Sequence, residues 1–352
     1  MQDASAGALS YVIPAFDQKY SRQMLFAPFG RDGQERLSNA SAVLVGCGAI
    51  GAAVANLLVR AGIGRLRIVD RDFVEASNLQ RQSLFSESDA REALPKAVAA
   101  ERILRSVNSD VLVEGVVADL TPGTARELLS GFALILDGTD NFETRFLIND
   151  FAVSNGTPWI YGAAVASYGL SFAILPGATA CLACLLDLPA GRGLEETCDT
   201  VGVLGPIVNL IASLEVAEAL KLLSGRPSTL HGCLLSCDVW TGRFQAMHPE
   251  KNPECPVCVH REFSHLSGDA QPHITLCGRD SVQIHEHNRT LDLKSLGDRL
   301  AESVPDVRQN GFLLRFRIPP YEMTVFNDGR AILKGTRDPV VARSLYAKYI
   351  GA

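Results

Sequence analysis

Short apolar runs alternate with amphipathic segments between residues 43 and 136. The runs predict strands at residues 43–45, 66–69, 111–116 and 132–136. Apolar residues at helical spacing predict helices at residues 49–61 and 95–107, and Thr121 with Pro122 is expected to begin another. This alternation indicates an α/β fold with a doubly wound, mostly parallel, Rossmann-like sheet, whose ligand crevice lies beyond the carboxyl ends of the strands.

The flanking patterns extend this domain in both directions. Residues 1–15 are small and polar and predict a flexible N-terminal tail, and residues 16–38 are amphipathic. Strands are expected at residues 159–160 and 168–175, with Gly162 and Gly169 at turns. A long apolar helix is expected at residues 207–223. Residues 16–267 are therefore predicted to form one domain.

A polar stretch from Gly268 onward predicts a linker to a smaller unit. The pattern that follows predicts strands at residues 274–284, 312–317, 322–326 and 331–334 and helices at residues 291–304 and 339–349. Asn327, Asp328 and Gly329 form a typical hairpin turn. Residues 268–352 are thus expected to be a small α+β domain, which either docks a carrier or another partner or only stabilises the protein.

Composition narrows the class of protein. The chain has 352 residues, a net charge of −6, 47% hydrophobic residues and 20% charged residues, as in an ordinary soluble globular protein. The negative charge argues against a nonspecific nucleic-acid binder. No apolar run has the length of a membrane span, and the N-terminus lacks a basic segment before an apolar core, so a cytoplasmic location is expected.

The glycines after the first strand predict a nucleotide site. Gly46, Gly48 and Gly51 have the G-x-G-x-x-G spacing, which lets backbone amides approach a phosphate at a helix N-terminus. Asp70 follows the second strand, where a carboxylate accepts hydrogen bonds from ribose hydroxyls. These residues alone indicate an adenine nucleotide without saying which one.

The residues around this motif favour ATP over a nicotinamide cofactor. Asp70, Asp72, Asp137 and Asp140 each follow a predicted strand, although a single such aspartate is as often a turn or a helix cap. Asn78, Arg81 and Gln82 follow the second strand and Lys96 begins the next helix, which suits a triphosphate better than a hydride-transfer site. Asp140 is a candidate Mg²⁺ ligand because that ion prefers oxygen donors.

The nine cysteines favour metal ligands or reactive thiols over disulfides. Two C-x-x-C pairs present thiolates at zinc-ligand spacing, but the long gap between the pairs leaves free thiols or a redox pair as alternatives. The pairs are Cys181 with Cys184 and Cys255 with Cys258. Cys198 stands in a polar, glycine-containing loop before the long apolar helix, where a thiol can have a lowered pKa.

Several motifs together resemble one family. GCGAIG, VDRDFVEASNLQRQ, Lys96 and DGTDN occur in the order found in the MoeB/ThiF/HesA-type adenylyltransferases of the ubiquitin-activating superfamily, especially ThiF-like proteins with an extra C-terminal domain. The resemblance implies a homodimer that uses ATP and Mg²⁺ to adenylate the C-terminal Gly-Gly carboxylate of a ubiquitin-fold sulfur carrier. Thiamine or molybdenum-cofactor biosynthesis would be the pathway, with thiamine favoured, and a sulfurtransferase a possible donor.

The resemblance also implies residue roles. Asp70 would bind the ribose, Lys96 the phosphates and Asp140 the Mg²⁺, while Arg22, in KYSRQ, would reach the partner subunit's phosphates. Ala49 replaces a glycine that many members have. The expected nucleotide-site residues are Gly46, Gly48, Ala49, Gly51, Asp70, Asp72, Ser77, Asn78, Arg81, Gln82, Lys96, Asp140 and Asn141.

The same resemblance bears on the cysteines. In the family, a structural zinc has the arrangement of the four paired cysteines. A cysteine in the loop of Cys198 forms a thioester or an acyl persulfide with the carrier in some members and is a spectator in others. Two other classes of function stay open: a noncatalytic scaffold that binds nucleotide and a ubiquitin-like protein, and an NAD-dependent oxidoreductase.

Overall fold

The computed structural model describes residues 15–186, 201–268, 281–285, 291–327, 329–336 and 338–351. Several earlier predictions concern residues outside these ranges: the tail up to residue 14, the loop with Cys198, the linker after Gly268, the strand at residues 274–280, and Asp328 of the hairpin turn.

An eight-stranded sheet forms the centre of the first domain, with the strand order β3-β2-β1-β4-β5-β6-β7-β8. The first five strands along the chain pair in parallel, and the last three join the sheet in antiparallel orientation. The strands are β1 (Ser41–Val45), β2 (Arg65–Val69), β3 (Leu112–Val116), β4 (Leu134–Asp137), β5 (Trp159–Val165), β6 (Tyr168–Ile174), β7 (Leu234–Asp238) and β8 (Arg243–Met247). The doubly wound, mostly parallel sheet is therefore confirmed.

Helices cover both faces of this sheet. Side chains of β1 alternate between the faces, so that Ala42 and Leu44 contribute to one core and Val43 and Val45 to the other. The helices are α1 (Ala15–Met24), α2 (Gly30–Ser38), α3 (Ala49–Ala61), α4 (Glu87–Arg91), α5 (Lys96–Val107), α6 (Ala125–Leu129), α7 (Phe142–Asn155), α8 (Leu182–Leu185), α9 (Gly205–Leu223) and α10 (Ser264–Ser267). Helices α3, α5 and α9 pack on the first face, and α6, α7 and α8 on the second.

Two local predictions were wrong. The helix expected from Thr121 begins at Ala125, because the backbone N–H of Thr121 donates to Thr124 Oγ1 and Thr124 Oγ1 donates to the Asp119 carbonyl, which holds a turn. Gly162 and Gly169 lie inside β5 and β6 and not at turns. Neighbouring side chains occupy the space where a side chain at either glycine would stand. A Cβ at Gly162 would lie 1.6 Å from Glu215 Oε1.

Several elements of the first domain were not predicted, among them the long helix α7 and the strands β7 and β8. Helix α7 buries Arg145, Asn149 and Asp150, and these polar residues interrupt the apolar pattern by which a buried helix is recognised. All five residues of β8 are exposed, so its sequence carries little strand signal.

The second domain is a separate five-stranded antiparallel sheet with the order β10-β11-β12-β13-β9. Its elements are β9 (Ser281–His285), α11 (Leu293–Ala301), β10 (Arg308–Gln309), β11 (Leu313–Ile318), β12 (Tyr321–Phe326), β13 (Arg330–Lys334) and α12 (Pro339–Tyr349). One face of the sheet packs on residues of α11 and α12 such as Leu296, Leu300, Ala342 and Tyr346. The expected α+β class is confirmed, and the short strand β10 was not predicted.

Candidate functional site

Two glycines of the loop between β1 and α3, Gly46 and Gly51, are packed too closely for a side chain. Gly46 has a φ of +86°, and a Cβ at Gly51 would lie 2.0 Å from the Gly46 carbonyl oxygen. Gly138, after β4, approaches the same carbonyl, where its own Cβ would lie 2.2 Å away. Gly48 caps α3, and its Cβ position has room, with Gly138 O at 3.7 Å. The loop thus presents backbone at the carboxyl end of β1, where α3 begins with Ala49.

Asp70, at the end of β2, faces this loop. Its Oδ2 accepts a hydrogen bond from the backbone N–H of Cys47 at 2.5 Å, and its Oδ1 accepts one from the N–H of Asp72 at 2.7 Å. Burial raises the pKa of Asp70, and the ammonium group of Lys96 acts in the opposite direction. The carboxylate lies beside the glycine loop, where the sequence placed it.

A long connection from β2 to α5, residues 70–95, is called here the crossover loop. An antiparallel bridge between Phe73 and Pro95 closes its base. Asp72 and Lys96 stand beside that bridge: the Lys96 backbone N–H donates to the Asp72 carbonyl at 2.8 Å, and Lys96 Nζ lies 3.2 Å from Asp72 Oδ2. The ammonium group of Lys96 is therefore buried but held next to a carboxylate.

The crossover loop buries two amides whose oxygens lack partners. Asn78 and Gln82 are 2% and 3% exposed, and Asn78 Oδ1 and Gln82 Oε1 have no hydrogen-bond partner among the described residues. Gln82 Nε2 lies 4.0 Å from the Cβ position of Gly48, so this amide borders the glycine loop. Buried amide oxygens normally have partners, and a bound ligand or water would supply them. Ser77 is exposed, and Arg81, which is half-buried, donates from Nη1 to the Ser77 carbonyl at 3.0 Å.

The loop after β4 carries the remaining predicted residues. Asp140 is exposed, and its charge acts on the guanidinium groups of Arg71 and Arg145, so it faces the crossover loop. Asn141 is the N-cap of α7, and its Oδ1 accepts from the backbone N–H of Thr144 at 2.8 Å. This oxygen already has a structural partner.

Asp137 does not face the crevice as the sequence suggested. It is fully buried, and its Oδ2 accepts from Arg145 Nε at 2.8 Å. The same guanidinium donates through Nη2 to the carbonyls of Thr139 and Gly162 at 2.7 Å and 2.9 Å. Burial alone would lower the pKa of Arg145, but the Asp137 carboxylate raises it. Arg145, which the sequence did not single out, fixes the loop that carries Asp140.

Glu215, in α9, lies beside this ion pair and was also not predicted. It is fully buried, and neither carboxyl oxygen has a partner among the described residues. Burial raises the pKa of Glu215 well above its usual value, the Asp137 charge raises it further, and Arg145 opposes this. The one signal in the sequence that Glu215 is buried was its position within an apolar helix.

Arg22 lies outside this group of residues. It is in α1, exposed, and its guanidinium forms no hydrogen bond or ion pair with the described part of the chain. Leu25 and Phe26, which follow α1, are 71% and 64% exposed. Arg22 therefore lies on the protein surface, near two exposed apolar residues in the sequence.

The four paired cysteines come together on the second face of the sheet, which α6, α7 and α8 cover. Their sulfur atoms all lie within 4.8 Å of one another, with Cys181–Cys184, Cys181–Cys255 and Cys184–Cys258 distances of 3.8 Å, 3.6 Å and 3.5 Å. Tetrahedral zinc with Zn–S bonds of about 2.3 Å requires sulfur atoms about 3.8 Å apart. This geometry fits a closed four-thiolate zinc site, in spite of the long gap in sequence.

No helix among the described residues is long and apolar enough to cross a membrane.

Comparisons with known proteins agree with the geometry. The model of the ThiF family matches residues 20–257. The chain is 46% identical over 338 residues to the sulfur carrier protein ThiS adenylyltransferase of Bacillus subtilis, an alignment that covers 95% of this chain and 99% of that protein. It is 40% identical over 246 residues to the sulfur carrier protein adenylyltransferase of Thermus thermophilus, which covers 68% of this chain and 90% of that protein.

Among solved structures, the crystal structure of E. coli MccB with ATP is similar at 26% sequence identity and a TM-score of 0.59. The similarity covers 68% of this chain and 74% of that chain.

Proposed function

The chain belongs to the ThiF family, and on this premise we propose that it is an ATP-dependent adenylyltransferase for a sulfur carrier protein. The acceptor is the C-terminal Gly-Gly carboxylate of a ubiquitin-fold carrier, and pyrophosphate is released. Similarity to the Bacillus subtilis ThiS adenylyltransferase over nearly the whole chain supports thiamine biosynthesis over molybdenum-cofactor biosynthesis. We further propose that the enzyme acts in the cytoplasm.

One structural observation carries this proposal. The glycine loop, Asp70, the orphaned oxygens of Asn78 and Gln82, and the Lys96 ammonium group meet at the carboxyl edge of the parallel strands. A dinucleotide site requires the glycines and Asp70 but not the buried lysine and the two amides. The N–H groups of the glycine loop and the Lys96 ammonium group suit the charged phosphates of ATP, and the acceptor oxygens of Asp70, Asn78 and Gln82 suit its hydroxyl and amino groups.

In the proposed reaction, a carboxylate oxygen of the carrier attacks the α-phosphorus of ATP. The bond to the bridging oxygen breaks, and pyrophosphate leaves with the electron pair. No general base is needed, since the attacking carboxylate is ionised at neutral pH. The backbone of the glycine loop and Lys96 stabilise the phosphate charges, while Asp70 orients the ribose.

Arg81 and Asp140 complete the proposed site. Arg81 is anchored to the Ser77 carbonyl within the crossover loop and offers a cation to the phosphates. Asp140 presents an exposed carboxylate on a loop that Arg145 fixes, and its oxygens fit Mg²⁺, which neutralises triphosphate charge when bound.

Zinc is proposed as a structural ion held by Cys181, Cys184, Cys255 and Cys258. A site closed by four thiolates leaves no position for substrate. Cys198 lies outside the described residues, and its covalent link to the carrier stays a prediction, as does a separate sulfurtransferase donor.

The proposal is tested by ATP–pyrophosphate exchange with purified protein. We expect exchange only when a carrier that ends in Gly-Gly is added, and none with the same carrier shortened by its last glycine. Binding of ATP and carrier without exchange would indicate a noncatalytic scaffold. Tight NAD binding or hydride transfer without exchange would indicate an oxidoreductase, and either result would overturn the proposal.

A further inference from the structure

The second domain touches the base of the crossover loop. Its central sheet has two faces, and alternation along the strands sends Leu314, Phe316 and Val325 toward α11 and α12. The opposite face presents Leu313, Phe326 and Ile332, which would be exposed if the domain stood alone. All three are buried in a cluster with Phe73 of the crossover loop.

Two cationic side chains of the second domain contact Phe73, in addition to the apolar side chains. It is 5% exposed. The guanidinium of Arg315 and the ammonium group of Lys334 lie 5.4 Å and 5.7 Å from the centre of its ring, within the range of cation–π attraction. Phe73 directly follows Asp72, the residue that pairs with Lys96.

Polar contacts hold both arms of the crossover loop, the outgoing arm after Phe73 and the returning arm before Pro95. On the outgoing arm, Lys334 Nζ lies 2.5 Å from Glu75 Oε1. On the returning arm, Asn310 Nδ2 donates to the carbonyls of Glu92 and Ala93 at 3.0 Å and 3.2 Å. The second domain therefore contacts both chain segments that the Phe73–Pro95 bridge joins.

From these contacts we propose that the second domain is a positioning element of the nucleotide site. It clamps the two arms of the crossover loop together, which keeps Asp72 beside Lys96 and holds Asn78 and Gln82 at the glycine loop. The inference deepens the proposed function and rests on it for its kinetic test. It differs from carrier docking, because its target is the affinity for ATP.

Two surface substitutions test the clamp without opening a core. Lys334→Ala removes the contacts with Glu75 and Phe73, and Asn310→Ala removes the contacts with the returning arm. Lys294→Ala, at an exposed position of helix α11, is the matched control for Lys334→Ala, since it removes the same charge from the same domain away from the loop.

We expect Lys334→Ala and Asn310→Ala to raise the KM for ATP in the exchange assay by about 2- to 30-fold, the range of coupling seen for positioning residues. The KM for the carrier is expected to stay unchanged. Lys294→Ala should behave as the wild type. If the second domain only stabilises the protein, the two substitutions should lower the unfolding temperature without this selective change in the KM for ATP. If it docks the carrier, they should raise the KM for the carrier instead.

Amide hydrogen exchange gives a readout that does not need activity. The N–H groups of Val74 and Lys96 donate to the Leu94 and Asp72 carbonyls at the loop base, and both should exchange faster in the two variants. Binding of a fluorescent ATP analogue should weaken in parallel. If the wild type lacks ATP–pyrophosphate exchange, the proposed function fails. Amide hydrogen exchange and binding of the ATP analogue still show whether the second domain positions the crossover loop. Rates and affinities equal to those of Lys294→Ala would overturn that positioning role.

Discussion

Asp137 ends β4 and Asp140 lies in the loop that follows, but the two carboxylates have opposite surroundings. Asp137 is buried in an ion pair with Arg145, whereas Asp140 is exposed. Sequence patterns could not separate them, since both follow a strand in a polar segment. Only the structure assigns Asp137 to stabilisation of the loop and leaves Asp140 available for a ligand.

Substitution of these two residues should therefore separate stability from activity. Asp140→Ala is expected to lower ATP–pyrophosphate exchange by about 100-fold or more, as for loss of one group that stabilises developing charge. Its free energy of unfolding should change by less than about 0.5 kcal/mol, because the side chain is exposed. Asp137→Ala should lose about 3–5 kcal/mol, because Arg145 is left buried without its partner.

Urea denaturation and exchange assays on both variants check this prediction. Arg81→Ala serves as a second test of the site and is expected to behave like Asp140→Ala, since Arg81 is only half-buried. Normal exchange in both Asp140→Ala and Arg81→Ala would remove these residues from the site.

Glu215 predicts a pH dependence of stability. Because burial raises its pKa in the folded protein, the folded state keeps a proton that the unfolded chain releases above about pH 4.3. The unfolded state then binds fewer protons, so this residue makes stability fall as pH rises from that value toward the raised pKa.

Glu215→Gln cannot release the proton and should remove this term. The free energy of unfolding of the variant minus that of the wild type is expected to grow between about pH 5 and about pH 8. Urea denaturation at both pH values measures it. A difference that stays constant, or shrinks, would contradict the assignment of a neutral carboxyl group.

The site residues that the sequence identified share one property. Gly46, Asp70, Asn78 and Lys96 stand in contiguous motifs next to predicted elements, so the short-range pattern sufficed to find them. Arg145 and Glu215 were missed because they lie inside helices, where a charged residue normally indicates a solvent-exposed face. Their roles depend on partners far away in sequence, which single-sequence patterns do not report.

At the level of elements, the four cysteines join two segments that are distant in the chain. Helix α8 begins next to Cys181, and its Leu182 N–H donates to Asn149 of α7 at 2.9 Å. The second pair precedes α10, whose His265 and Leu266 N–H groups donate to Asp150, also of α7. Zinc at the cysteines would therefore fasten both segments over the same helix.

We expect one zinc ion per chain by elemental analysis of the purified protein. Cys184→Ala should lose the metal and lower the unfolding temperature, because a structural site contributes its binding free energy to folding. Cys237→Ala is the control, since Cys237 is a buried thiol in β7 apart from the four ligands. Zinc retained in Cys184→Ala, or absent from the wild type, would contradict the proposed ion.

Prediction of helix bounds succeeded where a local signal marks an end of the helix. The predicted bounds of α3 and α12 agree with the structure, and these helices have Gly62 after the one and Asp338 with Pro339 at the start of the other. Strands β7 and β8 have no such signals and are recognisable only by their pairing, β7 with β6 and β8 with β7. The antiparallel extension of the sheet thus depends on tertiary contacts.

For the whole molecule, Arg22 is the one described residue predicted for the nucleotide site and its catalysis that lies apart from the others. Because Arg22 is exposed and close in sequence to the exposed Leu25 and Phe26, we predict a homodimer in which Arg22 completes the partner subunit's site. We predict that Arg22→Ala and Lys96→Ala are each inactive but regain activity when unfolded and refolded together. Mixed dimers contain one intact site, so about a quarter of wild-type activity is expected for random pairing in a two-fold dimer.

A mixture of Asp70→Ala with Lys96→Ala is the control, since both residues belong to the same protomer's site and no intact site can form. Recovery in that control, or full activity of Arg22→Ala alone, would contradict a site shared between subunits. Size measurement in solution checks the dimer independently.

The contacts of the second domain with the crossover loop have a consequence for how the protein is made. Lys334 follows Glu75 by 259 positions and Asn310 follows Glu92 by 218. A ribosome therefore releases every residue of the glycine loop and crossover loop long before it adds their clamp, and domains generally fold in the order of synthesis. Nucleotide affinity would then mature last, so that chains interrupted before residue 334 hold the binding residues without consuming ATP efficiently.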